Sequence, residues 1–249
     1  MKITIITAVY NREATIGAAL ASLHAQTHAH IEHLIIDGGS TDGTLAILRA
    51  AATRADTTLV SEPDHGIYDA LNKGLARATG DVIGILHSDD EFADPQVLAD
   101  VAAAFAASPT DAVYGDLDYV AADGSGRIIR HWRSGPYSRS RLARGWMPPH
   151  PALFIRKPVI DRHGGYDTRL RIAADYDAIL RWFTRGHVAP AYVPRVLVRM
   201  RVGGESNRSL ERIIRKSRED LEALRQNKVG GLSALAWKNL SKLPQFLRR

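Results

Sequence analysis

Along the first ninety positions, apolar residues alternate between two spacings. Residues 3–9 form a β-branched apolar run of the kind that fills a strand buried on both faces. Residues 15–26 then carry Ile16, Leu20 and Leu23 at helical spacing. The alternation continues with a strand over 33–37, a helix over 44–52 with Leu45 and Leu48 inward, and a strand over 57–61. A helix over 66–78, with Ile67, Leu71 and Leu75 on one face, leads to a strand over 81–86. This βαβαβαβ order predicts an α/β fold on a doubly wound, mostly parallel sheet.

The second half is less regular. Pro95 is placed to open a helix over 95–107 from its first position. Strands over 112–120 and 127–133 flank Ala122-Asp123-Gly124-Ser125-Gly126, a hairpin signal. Residues 134–151, rich in Arg, Gly and Pro, predict a loop over the site with freedom to move. A strand over 152–156 follows, then a helix over 175–186 with Tyr176, Ile179, Leu180 and Phe183 apolar, then a strand over 192–202. The tail reads as two helices broken at Gly230-Gly231. Ile213, Ile214, Leu221 and Leu224 line the first; Leu232, Leu235, Ala236, Leu240 and Leu243 line the second.

Charge sets that tail apart. Residues 206–249 hold 11 Lys and Arg against 4 acids, whereas residues 1–205 are nearly neutral, with 22 against 23. A main domain over 1–205 and a basic amphipathic helical segment over 206–249 are therefore expected. The segment carries no recognised nucleic-acid motif. With Trp237 beside Lys238 and Phe246 near Arg248-Arg249, it suits an anionic membrane surface or a helical cap on the domain. The 249 residues contain no Cys, so disulfides and thiolate metal sites are excluded. No apolar run approaches the roughly 18 residues of a membrane span. A chain that starts directly in a strand predicts no secretory leader, and the expectation is a cytoplasmic protein, peripheral on the inner face of the membrane if the tail binds lipid.

Candidate chemistry gathers at the strand ends. The fourth strand runs into Leu86-His87-Ser88-Asp89-Asp90. Paired carboxylates at a sheet edge can hold Mg²⁺ or Mn²⁺ beside phosphate oxygens, although Ser-Asp-Asp is also an ordinary N-cap signal. The first strand ends in Thr7-Ala8-Val9-Tyr10-Asn11-Arg12 and the second in Asp37-Gly38-Gly39-Ser40-Thr41-Asp42-Gly43-Thr44. Asp37 could accept hydrogen bonds from a nucleobase or ribose, or the segment could be a strand-to-helix turn capped by Ser40 or Thr41. The third strand leads into Glu62-Pro63-Asp64, then Tyr68, Asn72, Lys73 and Gly74.

With His150-Pro151-Ala152-Leu153-Phe154 and Ala174-Asp175-Tyr176-Asp177, these words resemble, in order and spacing, family 2 glycosyltransferases. These are inverting enzymes of the GT-A fold, here of the branch that builds bacterial surface polysaccharides. The resemblance spans residues 1 to about 200. It implies that Thr7, Tyr10, Asn11 and Asp37 hold the donor's base and ribose, with Asp64, Asn72 and Lys73 bordering that pocket. It implies that Asp89 touches the ribose, that Asp90 and His150 face a Mn²⁺ or Mg²⁺ ion on the diphosphate, and that Asp175 is the catalytic base. The implied partners are a UDP-, GDP- or dTDP-linked sugar and a lipid-linked saccharide acceptor. His-Ser-Asp-Asp departs from a strict Asp-x-Asp, a variant the family tolerates.

The chemistry is consistent with those roles. A metal neutralises charge growing on a departing diphosphate, and a carboxylate takes the proton of an acceptor hydroxyl. Asp177 lies roughly 200° around the helix from Asp175 and cannot share its face. A sugar-1-phosphate nucleotidyltransferase would want a Gly-rich loop after the first strand, which Tyr10-Asn11-Arg12 lacks. A non-catalytic membrane-surface module leaves Asp37, Asp89, Asp90 and Asp175 unexplained.

Overall fold

The computed structural model of the chain describes residues 1–202 and 210–240. Leu243, Phe246, Arg248 and Arg249 of the expected tail surface lie outside them. The first half folds as β1 (Ile3–Val9), α1 (Ile16–His24), β2 (Ile31–Asp37), α2 (Thr44–Ala51), β3 (Thr57–Ser61), α3 (Ile67–Arg77) and β4 (Val82–Ile85). The four strands lie in the order β3-β2-β1-β4 and all pair in parallel. Every residue of β1 and β4 is buried, as a continuous apolar run requires in a sheet covered on both faces. Gly84 sits where β4 crosses an aromatic ring: a Cβ there would lie 2.5 Å from Phe154 Cε1.

Because β2 and β3 extend to one side of β1 while β4 lies on the other, the strand order reverses between β1 and β4. Ligands of open α/β sheets bind at the carboxyl ends beside such a switch point. Tyr10, Asp37, Asp64 and Asp89 all follow strands that end on that edge.

The second half turns the sheet mixed. It runs β5 (Asp90–Phe92), α4 (Val97–Ala107), β6 (Ala112–Val120), β7 (Ile128–Trp132), α5 (Arg139–Leu142), β8 (Leu153–Arg156), α6 (Lys157–His163), α7 (Ala174–Arg185) and β9 (Ala191–Arg201). Beyond β4 the order is β8-β6-β9-β5, with β7 on β6. The pairs β4–β8, β8–β6, β9–β5 and β6–β7 are antiparallel, and β6–β9 is parallel. The expected hairpin is present, with Gly124 and Gly126 at positive φ.

Three expectations change here. Pro95 precedes the helix it was expected to open: Gln96 is the N-cap of α4. The fourth strand does not run on to the acids. It stops at Ile85, the Asp90 N–H bonds to the His87 carbonyl at 3.0 Å, and the reversed chain enters β5. Segment 134–151 is pinned, with Leu142 buried and Trp146 Nε1 donating to the Ser134 carbonyl at 2.9 Å. Trp146 also packs edge-on to Tyr114 at 5.5 Å.

The tail forms α8 (Leu210–Gln226) and α9 (Leu232–Leu240). Ala223, Leu224 and Ala234 join the core cluster that contains α7. The face of α9 that turns inward keeps only part of the expected stripe: Leu235 packs half-buried against that cluster, but Ala234 and Lys238 are buried while Leu232 and Ala236 are exposed. Lys238 tolerates burial because its ammonium meets Asp220 at 2.8 Å and lies 3.2 Å from the Tyr176 ring centroid. No described helix is long and apolar enough to cross a membrane.

Candidate active site

Asp175 stands in the first turn of α7. Its Oδ1 accepts the Tyr176 N–H at 2.8 Å and the Tyr68 hydroxyl at 3.3 Å. Its Oδ2 makes no hydrogen bond among the described residues, and the side chain is only half-buried. Tyr68, from α3, also donates to the Ile172 carbonyl at 2.8 Å and stacks on Tyr166 at 5.7 Å. Tyr166 shares a 2.8 Å hydrogen bond with His150 Nε2, and the His150 ring lies 5.7 Å from that of His87. Five segments thus converge on one spot: α3, the β4–β5 turn, the turn before β8, the loop before α7, and α7.

The titrations of this group are shifted mainly by burial. It lowers His150 to about 4, against the raising influence of the Asp175 charge, and lowers His87 as well. It raises Tyr68 and Tyr166, with Asp175 adding to both. At neutral pH the histidines are uncharged and the tyrosines protonated.

A second group lies along the same edge toward β3. Tyr10 is exposed. The Asp37 carboxylate is buried and accepts from Ser40 N–H, Ser40 Oγ and Ser61 Oγ. Asp64 abuts Gly38: a Cβ on that glycine would sit 2.3 Å from Asp64 Oδ2. From β3 to β4 is three strand spacings, roughly 14 Å, the scale of a nucleoside diphosphate laid across the strand ends.

Comparison with known proteins shows which family the chain belongs to. The model of Glycosyl transferase family 2 matches residues 4–162. The chain belongs to glycosyl transferase family 2. A Mycobacterium tuberculosis protein named only as an uncharacterized glycosyltransferase is 35% identical over 185 residues, covering 72% of this chain and 68% of its own. A PGL/p-HBAD biosynthesis glycosyltransferase of Mycobacterium bovis is 33% identical over 212 residues, covering 82% and 78%. Among solved structures, Staphylococcus aureus TarS 1–349 in complex with UDP-GlcNAc superposes with a TM-score of 0.73 at 19% identity, over 92% of this chain and 66% of that one. A longer TarS chain is covered to 39%. The mannosyltransferase PcManGT of Pyrobaculum calidifontis, in complex with GDP-Man and Mn²⁺, gives 0.68 at 21% identity over 98% and 70%. The fold is therefore GT-A, and the protein is a glycosyltransferase.

Several residues expected at the transferase's donor site are engaged elsewhere. The Thr7 hydroxyl lies within the sheet and contacts His33 Nε2 at 3.1 Å, beside an imidazole that burial lowers to about 3. Thr7 shares its face with Ile5 and Val9, opposite the face of Ile6 and Ala8 that packs toward α7. Asn11, at positive φ, accepts the Thr41 N–H at 2.8 Å and so ties the first loop to the second. Asn72 clamps Tyr166 through both amide atoms, each at 2.8 Å. Lys73 donates to the Pro63 carbonyl at 2.7 Å and pairs with Glu62 and Asp69 at 3.3 and 3.5 Å. Thr7 thus joins two strands, and Asn11, Asn72 and Lys73 hold the transferase's loops in place. Asp177 is buried against Arg181 at 3.1 Å and Asn227 at 2.7 Å, so this second carboxylate of α7 faces α8.

The two acids of the His-Ser-Asp-Asp word part company. Asp89 is half-buried at the turn, whereas Asp90 is 1% exposed and neither of its oxygens has a partner among the described residues. Among those residues no group of three or more metal-capable side chains converges. A Mg²⁺ or Mn²⁺ ion needs only one or two carboxylates beside substrate phosphates, so the donor set suits an ion that arrives with the nucleotide. Sequence reasoning assigned no role to His87 or Tyr166, and left Tyr68 unexplained.

Proposed function

We propose that this protein moves a glycosyl residue from a nucleoside-diphosphate sugar to a hydroxyl of a lipid-linked saccharide, with inversion, at the inner face of the cytoplasmic membrane. The observation that carries the reading is Asp175, one carboxylate oxygen held by Tyr68 and the Tyr176 N–H, the other open, beside the strand-end acids. The open oxygen takes the proton of the acceptor hydroxyl as that oxygen attacks the anomeric carbon. The bond to the diphosphate breaks on the opposite side, which inverts the configuration. Asp177 points into the fold, which leaves α7 a single carboxylate for this work.

The donor lies along the edge from Tyr10, stacked on the base, past Asp37 and Asp64 to Asp89. Asp89 would hold the divalent ion, and the ion would neutralise the charge growing on the departing diphosphate. This assignment moves the ion from Asp90 to Asp89, because Asp90 is buried. His87 and His150, uncharged, line the far wall beneath the diphosphate. Complexes of structural neighbours with UDP-GlcNAc and GDP-Man support a nucleotide-sugar donor, and the relative named for PGL/p-HBAD biosynthesis supports a biosynthetic glycosyl transfer. The first test is thermal: UDP or GDP with Mn²⁺ is expected to raise the melting temperature. Absence of any shift across UDP, GDP and dTDP would remove the donor assignment.

The membrane part rests on Ile213, Ile214, Leu232 and Trp237, exposed among the exposed Arg215, Arg218, Arg225 and Lys228. Deleting α9 is a poor test, because it strips Lys238 from the buried Asp220. Ile213→Ser with Trp237→Ser leaves that pair intact. The double variant is expected to lose most binding to anionic vesicles, and salt is expected to weaken the wild type. If the wild type ignores such vesicles at low salt, α8 and α9 serve the fold alone.

A further inference from the structure

We propose that Glu219, on α8, is a positioning residue for the base Asp175, a role that rests on the reading of Asp175 given above. Helix α7 begins without a capping side chain: its N-cap is Ala173, among the poorest residues for the position. The leading N–H groups of a helix have no partner within it, nor do those of the turn before it. Glu219 supplies the partner from 46 residues further along the chain. Its Oε2 accepts the Ile172 N–H at 2.7 Å and the Ala173 N–H at 2.9 Å, and the residue is buried.

The other side of the same turn is held by Tyr68, whose single hydroxyl proton goes mainly to the Ile172 carbonyl at 2.8 Å and is shared with Asp175 Oδ1 at 3.3 Å. Residue 172 is thus fixed from both ends, its N–H by α8 and its C=O by α3. Asp175 follows three residues later with no slack in between. Along the rest of α7, α8 and α9 keep contact through Asn227 to Asp177, Arg185 to the Gln226 carbonyl, and Lys238 over Tyr176. Of the two supports, Tyr68 lies within residues 4–162, which the family model matches, and Glu219 lies beyond them. Any force on α8, such as lipid contact at Ile213 and Ile214, would reach the base through Glu219.

The test compares Glu219→Ala, Glu219→Gln and Asn227→Ala with the wild type, kinetics being normalised to folded protein. Glu219→Ala leaves two backbone donors without a partner and frees the turn. It is expected to lower kcat at least tenfold with donor KM within about twofold. Glu219→Gln keeps an acceptor oxygen at the same reach and is expected to stay within about threefold of the wild type. Asn227→Ala loosens the same helix pair away from the turn, so it is expected to lower the melting temperature and leave kcat unchanged. In an Asp175→Asn background, Glu219→Ala should add no further loss, because it acts through the base. A kcat for Glu219→Ala within twofold of the wild type overturns the proposal. So does an equal loss in Asn227→Ala, which would mean simple destabilisation. Asp175→Asn run alongside separates the two failures: if it stays active, the base itself is misassigned and the positioning role falls with it.

Discussion

Asp175→Asn is expected to reduce transfer roughly 10²-fold or more while the melting temperature and the nucleotide-dependent thermal shift stay near wild type. Asn has the shape of Asp, and its amide oxygen can still accept from the Tyr176 N–H and the Tyr68 hydroxyl, the two contacts that Oδ1 makes. What it lacks is a basic oxygen for the acceptor's proton. Asp177→Asn is the contrast. That carboxylate pairs with Arg181 and Asn227 inside the α7–α8 contact, so its loss is expected to destabilise by about 1–3 kcal/mol with a smaller effect on turnover per folded molecule. Transfer by Asp175→Asn close to wild type would move the base elsewhere, and the buried position of Asp177 makes it a weak successor.

The parallel half of the sheet was legible because its signals are local. A β-branched run such as residues 3–9 and a helix such as α3, with Leu71 inward, announce their period within one element. The antiparallel half was partly hidden. Strand β5 has three residues, too few for any alternation to register, and exists because β9 lies beside it to receive Asp90 and Phe92. Helix α6 begins Lys157-Pro158, which reads as a turn, yet proline is tolerated in a first helical turn where its missing N–H costs nothing.

Site residues divide in the same way. Asp175 lies half-buried in the first turn of α7, and Asp89 half-buried at the turn after β4. Whether a motif residue faces the cleft or the fold depends on what packs behind it, and that is tertiary. Thr7 is taken by His33, Asn72 by the backbone of Tyr166, and Asn11 by the neighbouring loop. Glu219 had no signal at all: one acid among the charges of an amphipathic helix gains meaning only when α8 lies against the start of α7. Lys238 is the converse case. Helical periodicity put Leu232, Leu235 and Ala236 on the inward stripe of α9; Leu235 packs there, but Lys238, paired with Asp220 and lying over the Tyr176 ring, is buried while Leu232 and Ala236 are exposed.

Chelation is expected to abolish transfer, with Mn²⁺ or Mg²⁺ restoring it, and the two adjacent acids are expected to respond differently. Asp89 sits half-exposed at the turn that closes β4, where a diphosphate crossing the strand ends would bring its oxygens. Asp90 is sealed in β5 against β9 and cannot meet an ion on that edge without the strand opening. Asp89→Asn should therefore lose most of the Mn²⁺-dependent part of the nucleotide thermal shift. It should also lose transfer by roughly 10²-fold or more, the worth of several kcal/mol of charge stabilisation. Asp90→Asn should keep most of that shift, because an amide fills the same buried space. The reverse pattern, with the metal-dependent shift lost in Asp90→Asn and kept in Asp89→Asn, would return the ion to Asp90 and require β5 to move when the donor binds. Activity that persists undiminished in chelator would leave the diphosphate to be stabilised by side chains alone. The near edge offers few cations for that, since Lys73 is tied to Glu62, Asp69 and the Pro63 carbonyl.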